Sequence, residues 1–389
     1  MLSTESQSAF DLIRTELRPL WPEFARFNSL RALHADPLWQ RTGTLVQQVL
    51  DSVRVTTTTA SAPAKPSYRI VAWNVERGKE LDGQLEILRD HPYLREADVL
   101  LLTELDIGMA RSGNRDVPQE IAQALGMHCA FAPCYMSLVK GSGLERHVEG
   151  ENDLGLHGNA ILSRYPITNA RSIALANGID KLAGNEKRLG RQTAVLADIQ
   201  FPQGAIPFVS AHLDANSTQA HRASQMRTII DSLPPGKAII GGDWNTTTFN
   251  SSTAFHAICG FWLRVFMGPS RVITNHYLHP YRWFERELFE GLKARGFEYD
   301  RSNVTGEYTI YYDIEDLRTF KGMAEWIPLW CFPFIRWSLR DHNGRCPLKI
   351  DWFATRDVNV SNPKVIHEVR ECPRPLSDHD AIGVDLLLG

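Results

Sequence analysis

The stretch Ala238-Ile-Ile-Gly-Gly-Asp-Trp-Asn245 decides the fold. Its apolar opening, Ala238 to Ile240, reads as a buried strand. Gly241 and Gly242 then let the backbone turn sharply or approach something closely. Asp243 and Asn245 follow two residues apart, and in an extended segment such residues point to the same side. A carboxylate and a carboxamide therefore project together from the end of a core strand. There they can accept a proton, ligate a hard cation or hold a polar ligand. Taken alone, the stretch is equally a strand followed by an Asx-rich turn. The decision rests on how the other strands end.

They end alike. Residues 68–73 read as a strand closed by Asn74-Val-Glu76. Residues 98–103 are strongly apolar and end on Glu104 and Asp106. Residues 158–164 open on Asn159. Residues 191–199 and 206–211 alternate as a pair around Pro202-Gln-Gly204, the second ending on His212-Leu-Asp214. Alternation returns over 348–354 with Asp351 inside, and Ser377-Asp-His-Asp380 precedes a last strand over 381–388. Helices are expected over 81–89, 117–125, 219–233 and 284–294, and a further strand over 128–132. Residues 140–156 read as a loop, and 358–369 as irregular chain followed by strand. Strand ends that converge on one sheet edge are where α/β proteins place ligands.

The 389 residues are 43% hydrophobic and 22% charged, an ordinary globular composition. A net charge of -3 supplies no global basic field for nucleic acid. The six cysteines lack CxxC pairing and do not suggest a zinc site; thiols in a reducing compartment are expected, with disulfides left open by the even count. The N-terminus shows no basic segment leading into an apolar core, so a cytoplasmic protein without signal peptide is expected. The apolar cluster at 326–337 is too short and interrupted to span a bilayer. Three parts are expected: a helical appendage over 1–54, broken by Pro19, Pro22 and Pro37; a Thr/Ala/Pro-rich linker over 55–66; and a main domain over 67–389. Within that domain, an aromatic-rich, unalternating insertion runs over about 249–346, read as extra core ahead of a substrate-facing lid.

The strand-end groups are rich in oxygen donors and poor in sulfur, which favours Mg²⁺ or Mn²⁺ over zinc. Cations of this kind usually work on phosphate. They offset developing charge and help generate hydroxide, while a histidine beside an aspartate supplies proton transfer or a fixed donor.

Seven segments in order resemble the endonuclease/exonuclease/phosphatase superfamily: Trp73-Asn-Val-Glu76, Leu102-Thr-Glu-Leu-Asp106, Gly158-Asn-Ala-Ile-Leu-Ser-Arg-Tyr-Pro-Ile167, Ala211-His-Leu-Asp-Ala215, Gly241-Gly-Asp-Trp-Asn245, Lys349-Ile-Asp-Trp-Phe353 and Ser377-Asp-His-Asp380. The resemblance implies a DNase I-like α/β (α+β) four-layer sandwich, two packed mixed β-sheets flanked by helices, with the active site at one edge. It implies Glu104 as metal ligand, Glu76 near the metal and Asp378 as a further ligand. Asp243 and Asn245 match the pair that positions or activates water and binds phosphate. His379 matches the catalytic histidine, as base or phosphate clamp, and Asp351 its orienting partner. His212 matches a general acid or phosphate ligand of the DNase I and sphingomyelinase branches. Asn74 and Asn159 match positions that hydrogen-bond the phosphate or neighbouring groups.

The expectation is a Mg²⁺-dependent hydrolase, with Mn²⁺ as the other cation, cleaving a phosphoester by in-line attack of activated water. A phosphodiester comes first, with a small-molecule, lipid-headgroup or nucleic-acid substrate. The alternatives are a phosphomonoesterase, a silent binding module of the same fold, and a membrane-surface protein using the aromatics at 326–337 as a wedge.

Overall fold

A computed structural model describes residues 9–59, 62–247, 250, 253–315 and 329–388. The first residues form short helical turns, including Trp21–Phe24 and Leu30–His34, before helix α1 (Pro37–Asp51). Asp36 caps α1 by accepting from the Leu38 N–H at 2.8 Å, and Pro37 occupies its first position. Strands β1 (Arg54–Thr56) and β2 (Ser67–Arg77) follow, then α2 (Leu81–Asp90), β3 (Ala97–Ile107), α3 (Val117–Leu125), β4 (His128–Ser137) and β5 (Leu156–Ser163). Next come β6 (Ile167–Ala174), β7 (Arg188–Gly190), β8 (Thr193–Phe201), β9 (Gly204–Ser210), α4 (Gln219–Asp231) and β10 (Ala238–Asp243). The insertion contributes α5 (Ala254–Met267), α6 (Arg286–Ala294), β11 (Ile310–Asp313), α7 (Phe332–Leu339) and β12 (Arg345–Leu348). The chain closes with β13 (Asp351–Arg356), β14 (Asn359–Ile366) and β15 (Ala381–Leu387).

The first main sheet runs β1-β4-β5-β3-β2-β15-β14, with β7 on β4, the second runs β13-β10-β9-β8-β6, and β11-β12 form a separate two-stranded sheet. Both main sheets are mixed: β2 pairs β3 in parallel and β9 pairs β10 in parallel, among antiparallel neighbours. Their inner faces meet in a core built from Ile70, Val99, Leu101 and Ile161 on one side and Val195, Phe208, Ile239 and Phe353 on the other. The outer face of the first sheet is covered by α1, α2, α3 and the N-terminal turns, through Leu17, Phe24, Val46, Leu88 and Ile121. The outer face of the second is covered by α4 and α6, through Met226, Ile229, Phe289 and Leu292. The result is the four-layer sandwich of two mixed sheets flanked by helices.

Three local expectations are corrected. The segment 55–66 does not begin as linker, because Val55 and Thr56 lie in β1 and pair with Ala130 and Cys129. Residues 358–369 are strand first, β14, and then a 3₁₀ turn at His367–Val369. The insertion holds two helices, α5 and α7, that its unalternating pattern concealed. Its aromatics divide: Tyr281, Phe289, Phe297 and Tyr299 join the core over β10 and β13, whereas Phe255, Phe266, Trp330 and Trp337 are exposed. Trp326 and the N-terminal residues 1–8 lie outside the described residues.

Candidate active site

The two sheets are tied together beneath the site. Ser210, the last residue of β9, donates its hydroxyl to the Leu102 carbonyl of β3 at 3.0 Å. β10 lies beside both β9 and β13, with Asp243 directly opposite Asp351. Gly242 permits this: its φ is +135°, and a Cβ there would stand 2.3 Å from the Ala211 carbonyl oxygen. The chain therefore leaves β9 pressed against β10, and His212 follows one residue later.

Asp243 is the hub. Its Oδ2 accepts from Asn74 Nδ2 and Asn245 Nδ2, each at 3.1 Å, and lies 3.3 Å from His212 Nε2 and 3.8 Å from His379 Nε2. Its Oδ1 accepts the Asn245 N–H at 2.8 Å. Asn74 spans two carboxylates, because the same Nδ2 also donates to Glu104 Oε1 at 3.2 Å. Glu104 Oε1 lies 3.9 Å from His212 Nε2. Across the site, Asp351 Oδ2 holds His379 Nδ1 at 2.9 Å, leaving Nε2 to face Asp243. Two groupings of potential ligands result among the described residues, Glu104–His212–Asp243 and Asp243–Asp351–His379, sharing Asp243.

Backbone strain accompanies the cluster. Glu76, Arg77, Glu104 and Asn245 all sit at positive φ, between 45° and 68°, a conformation unfavourable for side-chain-bearing residues that persists where surroundings dictate it. At Glu104 the surroundings are visible. Asn159 is buried, its Oδ1 accepting the Glu104 N–H at 3.3 Å and its Nδ2 donating to the Thr193 carbonyl at 2.7 Å. Its amide is thus engaged within the protein and orients the Glu104 turn.

The electrostatics separate the groups. Burial pushes Asp243 up to about 6 against the pull of His379 and His212. Burial would also raise Glu104, but Arg77 and the nearby histidines outweigh it and hold that carboxylate well below its usual range. His379 moves the other way. Burial opposes its charge, yet Asp351, Asp243 and Asp378 raise it well above an ordinary histidine. Glu76 turns aside from the hub, its carboxylate 2.7 Å from Lys79 Nζ. Burial and the neighbouring Asp378 charge raise it. Asp378 itself is exposed. Neither Glu76 nor Asp378 belongs to the two close groupings.

Several supporting residues escaped the sequence reading. Thr309 Oγ1 accepts the N–H groups of Ile350 and Asp351, each at 3.1 Å, and so fixes the start of β13 from the insertion. Ser377 Oγ accepts the His379 N–H at 3.1 Å and donates to the Asn74 carbonyl at 2.6 Å, joining the two motif segments. Arg77 Nε stands 3.7 Å from Glu104 Oε2. Tyr312 of β11, partly exposed, has its phenol raised by the surrounding protein and by the Asp378 and Asp243 carboxylates. Ser377 stood inside a quoted motif; Thr309, Arg77 and Tyr312 carried no signal in type or spacing.

The donor set is carboxylate, amide and imidazole without thiolate, which suits a hard divalent cation. A water held against Asp243 would have a base on one side and two imidazoles on the other.

The family model for the Endonuclease/Exonuclease/phosphatase family matches residues 71–379. No curated protein matches the sequence significantly. Among solved structures, an endonuclease/exonuclease/phosphatase from Beutenbergia cavernae DSM 12333 aligns with a TM-score of 0.50 at 16% identity, over 84% of this chain and 72% of that one. A 3'-5' exonuclease from Neisseria meningitidis aligns with a TM-score of 0.43 at 16% identity, over 82% of this chain and 100% of that one. An AP endonuclease from Archaeoglobus fulgidus aligns with a TM-score of 0.44 at 13% identity, over 82% and 98% of the two chains. Identities this low speak to fold alone. With the family model covering every strand-end group from Asn74 to His379, the chain belongs to the endonuclease/exonuclease/phosphatase family of phosphoesterases.

Proposed function

We propose that this chain is a divalent-cation-dependent hydrolase that cleaves a phosphoester, first of all a phosphodiester, by in-line attack of water. The observation that carries the reading is the convergence of Asn74, Asn245, His212 and His379 on one carboxylate oxygen of Asp243. Glu104 would hold the cation, with Glu76 and Asp378 as further oxygen donors. Bound there, Mg²⁺ or Mn²⁺ would offset the charge developing on the phosphoryl oxygens.

The protein's own groups divide the remaining work. Asp243 accepts the proton of the attacking water, and Asn245 fixes the orientation of its carboxylate. His379, held by Asp351, presents a charged Nε2–H to a phosphoryl oxygen and acts as a clamp. His212 offers a second imidazole from the Glu104 side, where it binds the phosphate or protonates the leaving oxygen. Asn74 keeps the Glu104 and Asp243 carboxylates from springing apart.

The test is a hydrolysis screen with Mg²⁺, Mn²⁺ or EDTA on bis-p-nitrophenyl phosphate, p-nitrophenyl phosphate, plasmid DNA and sphingomyelin. Metal-dependent diester turnover is expected, lost in Asp243→Ala and His379→Ala with circular dichroism unchanged. Retained turnover in either folded variant would contradict these roles, and preference for the monoester would make the enzyme a phosphomonoesterase.

A further inference from the structure

Helix α5 is built inside out. Its sequence, AFHAICGFWLRVFM, contains one charged side chain, Arg264. That side chain is buried, 6% exposed, with its guanidinium 2.5 Å from the Gly260 carbonyl and over the Phe284 ring, 5.4 Å from its centroid. Phe261 and Met267 pack on the insertion's own apolar cluster, but three large apolar side chains point outward: Phe255 is 72% exposed, Leu263 55% and Phe266 83%. A helix that is apolar all round belongs inside a core or a membrane, not in water.

Helix α7 extends the same surface. Trp262 of α5 meets Phe334 of α7 edge-on at 5.4 Å. Around that contact Leu329, Trp330, Phe334 and Trp337 are exposed, and Arg340 lies over the Trp337 ring at 5.3 Å. Contiguous apolar surface of this kind marks an interaction site.

Beside it lies a cleft of about 450 Å³ lined by Arg271, Asn275, His276, Arg282, Trp283 and Arg286. Among the described residues no carboxylate lines it. Arg286 pairs with Glu290 at 2.6 Å, but among the described residues Arg271 and Arg282 have no carboxylate partner. His276 Nδ1 is buried without a hydrogen-bond partner among the described residues. The His276 and Trp283 rings both pack on Phe284, the ring that covers Arg264, so cleft and apolar surface adjoin. The cleft offers guanidinium forks, the natural partners of phosphate oxygens.

The geometry points to a peripheral membrane-docking surface: α5 and α7 insert their aromatics among lipids while Arg271, Arg282 and Arg286 bind the phosphate of an anionic headgroup. Exposed Trp and Phe beside Arg is the pattern of a helix lying in a bilayer interface. A protein partner would cover the aromatics but leaves the uncompensated basic cleft without a purpose. The antiparallel pair β11–β12 joins this surface to the phosphoester site: Ile310 and Leu348 cluster with Phe332 and Ile335 of α7, and Thr309 ahead of β11 bonds to Asp351. Docking stands on the surface alone. Its consequence, that lipid phosphoesters reach the site, rests on the proposed hydrolase.

The test is co-sedimentation of the full chain with vesicles of phosphatidylcholine alone and of phosphatidylcholine with phosphatidylglycerol. The wild type should sediment with the anionic vesicles. Phe266→Ser with Trp330→Ser should weaken binding to them at least about tenfold, because insertion scales with apolar area. Arg271→Gln with Arg282→Gln should weaken it about thirtyfold, roughly fivefold for each basic side chain at an anionic surface. Asp243→Asn should bind like the wild type, so docking is read apart from catalysis. Wild-type protein left in the supernatant, or variants that sediment as it does, would overturn the proposal. So would a dimer in size-exclusion chromatography that Phe266→Ser with Trp330→Ser abolishes, without vesicle binding; that outcome assigns the surface to a second copy of the chain.

Discussion

Asp243 Oδ2 accepts two amide donors and faces two imidazoles, so its negative charge is what lets four donors share one small volume. Replacing it with the isosteric amide keeps the shape and removes the charge. Asp243→Asn is expected to lower turnover by about 10²–10⁴, the usual contribution of a positioned base, with a circular dichroism spectrum like the wild type. Asp351 acts one step back, through His379 at 2.9 Å. Asp351→Asn should therefore lower kcat more than it raises KM, while Asp351→Ala also leaves a hole beside buried Lys349 and should lose stability as well. Steady-state kinetics alongside urea unfolding separates the two.

At the scale of elements, the site depends on how closely β9 and β10 approach. Gly242→Ala would put a methyl 2.3 Å from the Ala211 carbonyl at a φ of +135°. The expected loss is about 2–3 kcal/mol in urea unfolding, together with lower activity, because His212 and Asp243 are displaced from one another. Wild-type stability and activity in that variant would show the approach to be unimportant. This glycine pair was legible in the sequence, as were the strands around it, because alternation and apolar runs report burial directly. The turn conformation of Glu104 was not legible. A positive φ at a glutamate follows from the Asn159 bond and the neighbouring strands, none of which is local. Helix α5 was hidden for a related reason: periodicity reveals a helix only when one face is polar, and here the apolar residues run all round. Strand β1 was hidden because three residues with small neighbours look like linker until their partner, β4, is in view.

At the scale of the whole molecule, the N-terminal turns and α1 are part of the core on the first sheet. Leu17 and Phe24 are fully buried there, with Val71, Trp73 and Leu100 in the same cluster. Leu17→Ala should therefore cost about 2–5 kcal/mol in denaturant unfolding, and a chain beginning at residue 54 should fail to fold as a soluble catalytic unit. A second long-range tie is His367, whose ring joins Asp380 at 2.9 Å to Glu307 of the insertion at 3.0 Å. The hydrogen bond to Asp380, against burial and with help from Glu307, raises His367 to about 9. An imidazole raised above its unfolded value of about 6.5 stabilises the fold fully below that pH, and the contribution fades as pH rises through about 9. His367→Gln is thus expected to destabilise the protein by about 1–2 kcal/mol near pH 6 and by much less near pH 10. An equal effect at both would show that the imidazole charge contributes nothing.

The central claim is that Glu104 and the groups around Asp243 form a cation-dependent phosphoester centre. The most direct test follows Mn²⁺ binding by electron paramagnetic resonance in the wild type and in Glu104→Gln, with hydrolysis of bis-p-nitrophenyl phosphate measured on the same samples. Tight Mn²⁺ binding and turnover should be present in the wild type and lost together in Glu104→Gln while the fold is retained. Equal binding and equal turnover in the two proteins would contradict the account.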